Sequence, residues 1–182
     1  MCIYGQGVVR KLVEEFEAHD LKGFSVWLPL MRKDSLERAD AEAAPFGDLP
    51  VVHVWDPKRQ VGDLYSKTLR LKSTAWDFYF LYPPDVTWDE EEPPHPAFWM
   101  HQLPADSGAD RDLVLYPSRF AEELLTLFGD GVEPSHTSRD DLGLQLHWEG
   151  LLNMTRKRGE YAIEDVREAF EDSKTVRGMN SL

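Results

Sequence analysis

Ala75-Trp76-Asp77-Phe78-Tyr79-Phe80-Leu81-Tyr82 and Ala97-Phe98-Trp99-Met100-His101-Gln102-Leu103 are the two stretches whose reading decides the fold. Aromatic residues are enriched on pleated, half-buried surfaces, so both arms read as strands. Between them Pro83, Pro84, Pro93, Pro94 and Pro96 forbid a helix, and the arms therefore pair as an antiparallel hairpin. The connecting loop also carries Asp85, Asp89, Glu90, Glu91 and Glu92. Such a charge run reads as a solvated loop, although its oxygens also suit a hard cation.

Upstream of the hairpin, helix and strand alternate. Val8, Val9, Leu12, Val13 and Phe16 recur at helical spacing opposite Arg10, Lys11, Glu14, Glu15 and Glu17, which predicts an amphipathic helix over 6–18. Beyond Gly23, residues 24–31 are apolar on both alternating faces and predict a strand covered on both sides. Asp34 and Glu37 have capping-box spacing before a short helix that Pro45 and Gly47 stop. Val51-Val52-His53-Val54-Trp55 is a β-branched strand ended by Asp56-Pro57, and Val61, Leu64, Tyr65 and Thr68 return to helical spacing.

After the hairpin, Pro117 suits the first turn of a helix faced by Phe120, Leu124, Leu127 and Phe128 and ended by Gly129. Composition changes there. Residues 1–129 read as one α/β domain and 130–182 as a C-terminal extension: a polar linker, a short strand or packing arm over 142–148, and an amphipathic helix marked by Ala162, Val166, Ala169 and Phe170.

The chain has 182 residues, 42% of them hydrophobic, enough to bury a core. Its net charge of -13 disfavours a nucleic-acid surface, which needs clustered Lys and Arg; Arg156-Lys157-Arg158 is too short a cluster to supply one. No stretch approaches the apolar length of a membrane helix, and the start carries no leader pattern, so the expectation is a soluble cytoplasmic protein without nucleic-acid or membrane partners. No GxSxG, Walker or dinucleotide fingerprint occurs, and no cofactor is expected.

The order helix, strand, helix, strand, helix, hairpin, helix resembles the thioredoxin-like superfamily after its active-site turn, in the peroxiredoxin and TlpA-like arrangement with an extra strand and helix. Cys2-Ile3-Tyr4-Gly5 resembles the Cys-x-x-Cys motif with its second cysteine replaced by Gly5. The phrases Trp76–Tyr82 and Phe98–Leu103 are similar to a group of uncharacterised bacterial thioredoxin-like proteins. The resemblance covers Cys2 to Gly129 and implies a mixed sheet flanked by helices. It also departs from the family at three places. Cys2 is the single cysteine, Ser73-Thr74-Ala75 stands where the family has a proline before the hairpin, and the family's first strand or strands have no counterpart ahead of Cys2: either the sheet is trimmed, a segment such as 142–148 replaces the strand, or the true start lies upstream.

Cys2 is the candidate nucleophile. A thiol ahead of a helix N-terminus faces unpaired N–H groups that favour the thiolate, with Gln6 as a candidate helper; a frayed thiol would gain nothing from them. The expected partner is an external thiol or a protein, because no internal cysteine can resolve an adduct. The opposing reading is a redox-inactive binding or assembly module using the aromatic hairpin and the tail. His53, His101 and Asp77 are weak metal candidates, with His95 and His147 more remote; no pair has HxH or HxxxH spacing, and a hydrogen-bonded core histidine is the simpler reading. A strand edge exposed by the trimmed sheet predicts a homodimer.

Overall fold

The computed structural model describes residues 3–88, 91–104 and 106–158, the last four of these as backbone only. Its elements follow the predicted order up to the fourth helix: α1 (Ile3–Glu15), β1 (Gly23–Trp27), α2 (Leu36–Ala43), β2 (Val51–Trp55), α3 (Gln60–Thr68), β3 (Phe78–Leu81), β4 (Phe98–His101) and α4 (Pro117–Phe128), after which α5 (Arg139–Arg158) follows. Short 3-10 turns at Glu17–His19, Ala44–Phe46 and Arg111–Leu113 lie between them. The chain is a mixed α/β protein. Among the described residues no helix is long and apolar enough to cross a membrane.

One core gathers on the hairpin. Tyr79, Leu81 and Met100 point to the same side of β3–β4 and bury against Val8, Leu12 and Phe16 of α1, Phe120, Ala121 and Leu124 of α4, and Leu142 and Leu146 of α5. The register is Phe78↔His101, Tyr79↔Met100, Phe80↔Trp99 and Leu81↔Phe98. On the opposite face the α3 ring of Tyr65 stacks on Phe80 at 4.5 Å between centroids, and Phe78 lies 5.6 Å from Phe80 and 5.3 Å from Trp99. The hairpin is therefore covered fully on one side and in part, by Tyr65, on the other, where its own rings also pack on each other, which is why its sequence is aromatic at successive positions and not only at alternate ones.

The strands form two pairs. β1 and β2 are parallel, in register from Gly23↔Val51 to Trp27↔Trp55, and β3 and β4 are antiparallel; no ladder joins the pairs among the described residues. The N–H of Gly23 bonds to Pro50 O and that of Asp56 to Trp27 O, so Phe24 and Val26 turn their backbone groups away from β2. By the same alternation Phe78 and Phe80 turn theirs away from β4. The outer edge of β4 is partly closed by the Leu115 N–H on His101 O at 2.7 Å.

Four local readings change. The strand expected over 24–31 ends at Trp27, and its outer face is open: Phe24, Val26, Val52 and Val54 are exposed, while Ser25 and Trp27 are buried. The cap of α2 is Ser35, whose Oγ accepts the Arg38 N–H at 3.3 Å. Asp34 instead accepts the N–H groups of Leu30 and Met31. The first helix begins at Ile3, one turn earlier than its apolar stripe indicates.

The segment 142–148, read as a strand or arm, is the middle of α5. Leu142, Leu144, Leu146 and Trp148 do alternate with Gly143, Gln145 and His147, which gives the strand-like period. A reciprocal cap starts the helix: the Ser138 hydroxyl donates to Asp141 Oδ2 at 2.9 Å and accepts the Asp141 N–H at 3.2 Å. Packing on α1 then fixes it, for a β-carbon at Gly7 would lie 2.5 Å from the Glu149 carbonyl. The amphipathic helix expected over 162–170 lies outside the described residues.

Candidate functional site

The first turn of α1 is planted on the hairpin. Tyr79 Oη donates to Gln102 Oε1 at 2.5 Å, and this pair sits against Gly5, where a β-carbon would lie 1.7 Å from Oη and 2.6 Å from Oε1. A glycine is needed at this point of the helix because any side chain would collide with the phenol. Gly5 is therefore fixed by packing, and the position has no room for the second cysteine of a Cys-x-x-Cys motif.

Gln6 is buried, and both ends of its amide are engaged. Nε2 donates to the Glu42 carbonyl at the end of α2, and Oε1 accepts from Asn153 Nδ2 at 3.4 Å. Asn153 Nδ2 also donates to the Ile3 carbonyl at 2.6 Å. Gln6 thus ties three helices together at the start of α1. Tyr4, beside it, shares a 2.7 Å hydrogen bond with His147 Nδ1. Burial lowers the pKa of His147, which favours the neutral ring. Cys2, directly ahead of α1, lies outside the described residues.

Asp77 stands at the base of β3 in the left-handed region, with φ at 53°, a conformation that aspartate tolerates better than most residues. Its carbonyl accepts the Gln102 N–H at 3.0 Å, so the turn is closed next to the Tyr79–Gln102 pair. The β1-facing end of the same region is reached through α3. Ala75, just before β3, and Leu28, just after β1, both press on Gly62, where a β-carbon would lie 2.7 Å and 2.9 Å from them.

The histidines are not brought together. His101 is buried in β4, with Nδ1 accepting the Leu103 N–H at 3.0 Å and Nε2 bonded to Asp110 O at 2.8 Å. That pattern fixes a neutral ring protonated on Nε2. His53 belongs to the other sheet, between Trp27 and Phe46, and its Nδ1 accepts the Trp27 Nε1–H at 3.2 Å. Its buried Nε2 and the buried Oγ of Ser25, its register neighbour, find no hydrogen-bond partner among the described residues. Burial pushes the His53 pKa down. Among the described residues no group of three or more His, Cys, Asp or Glu is placed to hold a metal ion.

The outward face of the hairpin ends in a phenol pair: Tyr65 Oη and Tyr82 Oη are 2.7 Å apart, and Tyr82 also donates to Pro94 O at 3.0 Å. Burial raises both phenol pKa values. Trp88 meets Tyr65 edge to face at 5.9 Å and is exposed on its other side. Asp85, Glu91 and Glu92 of the acidic loop are exposed, and Asp89 and Glu90 lie outside the described residues.

The sequence alone does not single out Tyr79, Gln102 and Asn153 as members of this site. The available signal is Gly5 inside an amphipathic helix, since a mid-helix glycine that costs stability usually has a packing reason. Comparison with protein-family models, with curated proteins and with solved structures finds no match to this chain.

Proposed function

We propose that the chain is a thioredoxin-like protein in which Cys2 acts as a single redox thiol at the start of α1. The observation that carries this reading is the seating of the first turn of α1 on the hairpin at Gly5, Tyr79 and Gln102. The order from β1 to α4 supports the same fold. So does the meeting of the ends of β1 and β3 on Gly62 of α3, which sets the parallel pair and the hairpin side by side.

The Cys2 thiolate attacks a disulfide R–S–S–R′, forming Cys2–S–S–R and releasing R′ as its thiolate. A second, external thiol then displaces Cys2 and leaves as the new disulfide with R. With a peroxide ROOH the thiolate takes one oxygen to become a sulfenic acid, ROH departs, and an external thiol condenses with loss of water. Gln6 contributes by holding α1, α2 and α5 in register. The pH dependence of Cys2 alkylation by iodoacetamide tests the proposal. A midpoint well below the free-thiol value of about 8.5 is expected, and an ordinary midpoint with unchanged turnover in Cys2→Ser overturns it.

The second reading, a binding module without redox chemistry, is favoured by the partly exposed aromatic face around Phe78, Phe80, Trp88 and Trp99. It predicts that partner capture survives Cys2→Ser and is lost when Trp88 and Trp99 are changed to Ala together.

A further inference from the structure

The inner face of the β1–β2 sheet is joined by one polar contact inside an aromatic layer. His53 sits between Trp27 of β1 and Phe46, the last residue of the turn after α2, with ring centroids 6.0 Å and 5.0 Å away. Trp27 and Phe46 are both buried. The Trp27 Nε1–H donates to His53 Nδ1 at 3.2 Å. An indole nitrogen can only donate, so this bond exists only while Nδ1 is bare, with the single proton of the ring on Nε2.

A second proton reverses that contact. It goes to Nδ1, and because an imidazolium donates from both nitrogens, two N–H groups then face each other across the same gap. The new charge meets no counter-ion. On β1 the register neighbour of His53 is the uncharged Ser25, and the turn supplies Phe46. The charged side chains of α2, which packs on β2, are Glu37, Arg38, Asp40 and Glu42, of which the first three are exposed. From α1 the uncharged Gln6 reaches the Glu42 carbonyl, and at the end of β2 Asp56 is committed to the N–H groups of Lys58 and Val61. Burial moves the His53 pKa down, and none of these groups opposes it.

We infer that the Trp27–His53 bond is a proton-operated latch: protonation of His53 releases the Trp27 indole and frees Phe46 with its turn, while the sheet and the hairpin core stay in place. The moving parts are small. Phe46 ends a three-residue 3-10 turn, and Gly47 follows it at φ 53° with nothing within 4 Å of its β-carbon position, so the turn swings without collision. The sheet is held by backbone bonds that neither ring makes, such as Gly23 N–H to Pro50 O and Asp56 N–H to Trp27 O. The hairpin core of Tyr79, Leu81 and Met100 includes none of the three latch residues. The turn is continuous with the end of α2, where the Glu42 carbonyl accepts from Gln6, so the latch has a direct route to the first turn of α1. The inference does not depend on the chemistry proposed for Cys2.

NMR of the nitrogen-labelled full chain tests this by following its six indole N–H signals from about pH 7.5 to about pH 5. The Trp27 signal should move, and its exchange with solvent should rise roughly tenfold, with one midpoint below 6.5 that matches the titration of the His53 ring protons. The signals of Trp76 and Trp88, which adjoin the hairpin, should hold their positions. His53→Asn keeps a side-chain acceptor near the Nδ1 position and cannot titrate, so the Trp27 change should vanish. The matched midpoints in the unaltered protein carry the test where the variant does not fold. A His53 ring that stays neutral throughout, a Trp27 signal that holds while the ring titrates, one midpoint shared by all six indoles, or a Trp27 change that persists in a folded His53→Asn each overturn the inference.

Discussion

The Tyr79 hydroxyl fills the space beside Gly5, 1.7 Å from where a β-carbon on that residue would stand. Gly5→Ala would gain up to about 1 kcal/mol of helix propensity, but overpacking against a buried phenol costs about 1–3 kcal/mol or more. A net loss of stability is expected in urea titration, larger for Gly5→Cys than for Gly5→Ala. Adding Tyr79→Phe should return part of it, because the nearest atom is removed. It follows that Gly5→Cys does not rebuild an internal dithiol: no disulfide between the introduced thiol and Cys2 should be found by mass after oxidation, and finding one in a fully stable protein would refute this packing.

How much of this was legible in the sequence depends on which forces fixed each element. β2 and α4 could be read almost to the residue and the hairpin as an element, its strands two to three residues shorter at their outer ends than the aromatic runs, because local signals agree with tertiary placement: prolines close the loop, valines dominate Val51–Trp55, and Pro117 and Gly129 bracket α4. α5 could not, because Leu142, Leu144 and Leu146 give two competing periods and only contact with α1 decides between them. The site was half legible. Cys2 and Gln6 are visible as residue types, whereas the Tyr79–Gln102 bond that demands Gly5 joins positions 23 apart and leaves no local pattern. The open outer face of β1–β2 was hidden for a related reason, since apolar alternation on both faces looks the same whether or not a cover is present.

Glu15 is a buried carboxylate that closes the connection between α4 and α5. Its Oε2 accepts the His136 N–H at 2.7 Å, its Oε1 is paired with Lys11 Nζ at 2.8 Å, and its backbone carbonyl accepts the Ser135 N–H at 2.9 Å. Glu15→Ala would leave the mostly buried Lys11 ammonium with only the longer 3.8 Å pairing to Glu14 and would strand one backbone donor. A loss of about 3 kcal/mol is expected by chemical denaturation. Glu15→Gln keeps an acceptor for His136 and should lose less.

His53 makes stability depend on pH. Burial lowers its pKa below the ordinary 6.5, so the folded state resists the proton that the unfolded state accepts. The stabilisation is full above the unfolded pKa and is lost as pH falls through that value toward the folded one. Melting temperature should therefore drop between about pH 7.5 and about pH 5.5, with His147 contributing in the same direction. His53→Phe should flatten part of that slope while leaving the Trp27 indole N–H without its acceptor. An unchanged slope in the variant would mean that His53 does not titrate in this range.

Leu146 tests whether α5 is an appendage or part of the body. Its side chain is fully buried and belongs to the same cluster as Val8, Phe16, Tyr79 and Met100, so its interactions run through α1 to the hairpin. Leu146→Ala removes a core side chain and leaves a cavity, which costs about 2–5 kcal/mol. If α5 and the hairpin unfold as one unit, the whole urea transition moves to lower denaturant as a single step with an unchanged slope. If α5 were an independent extension, the variant would show an early minor transition, and the near-ultraviolet signal of the hairpin aromatics would melt at its original midpoint. The continuous cluster from Leu146 to Met100 predicts the first result.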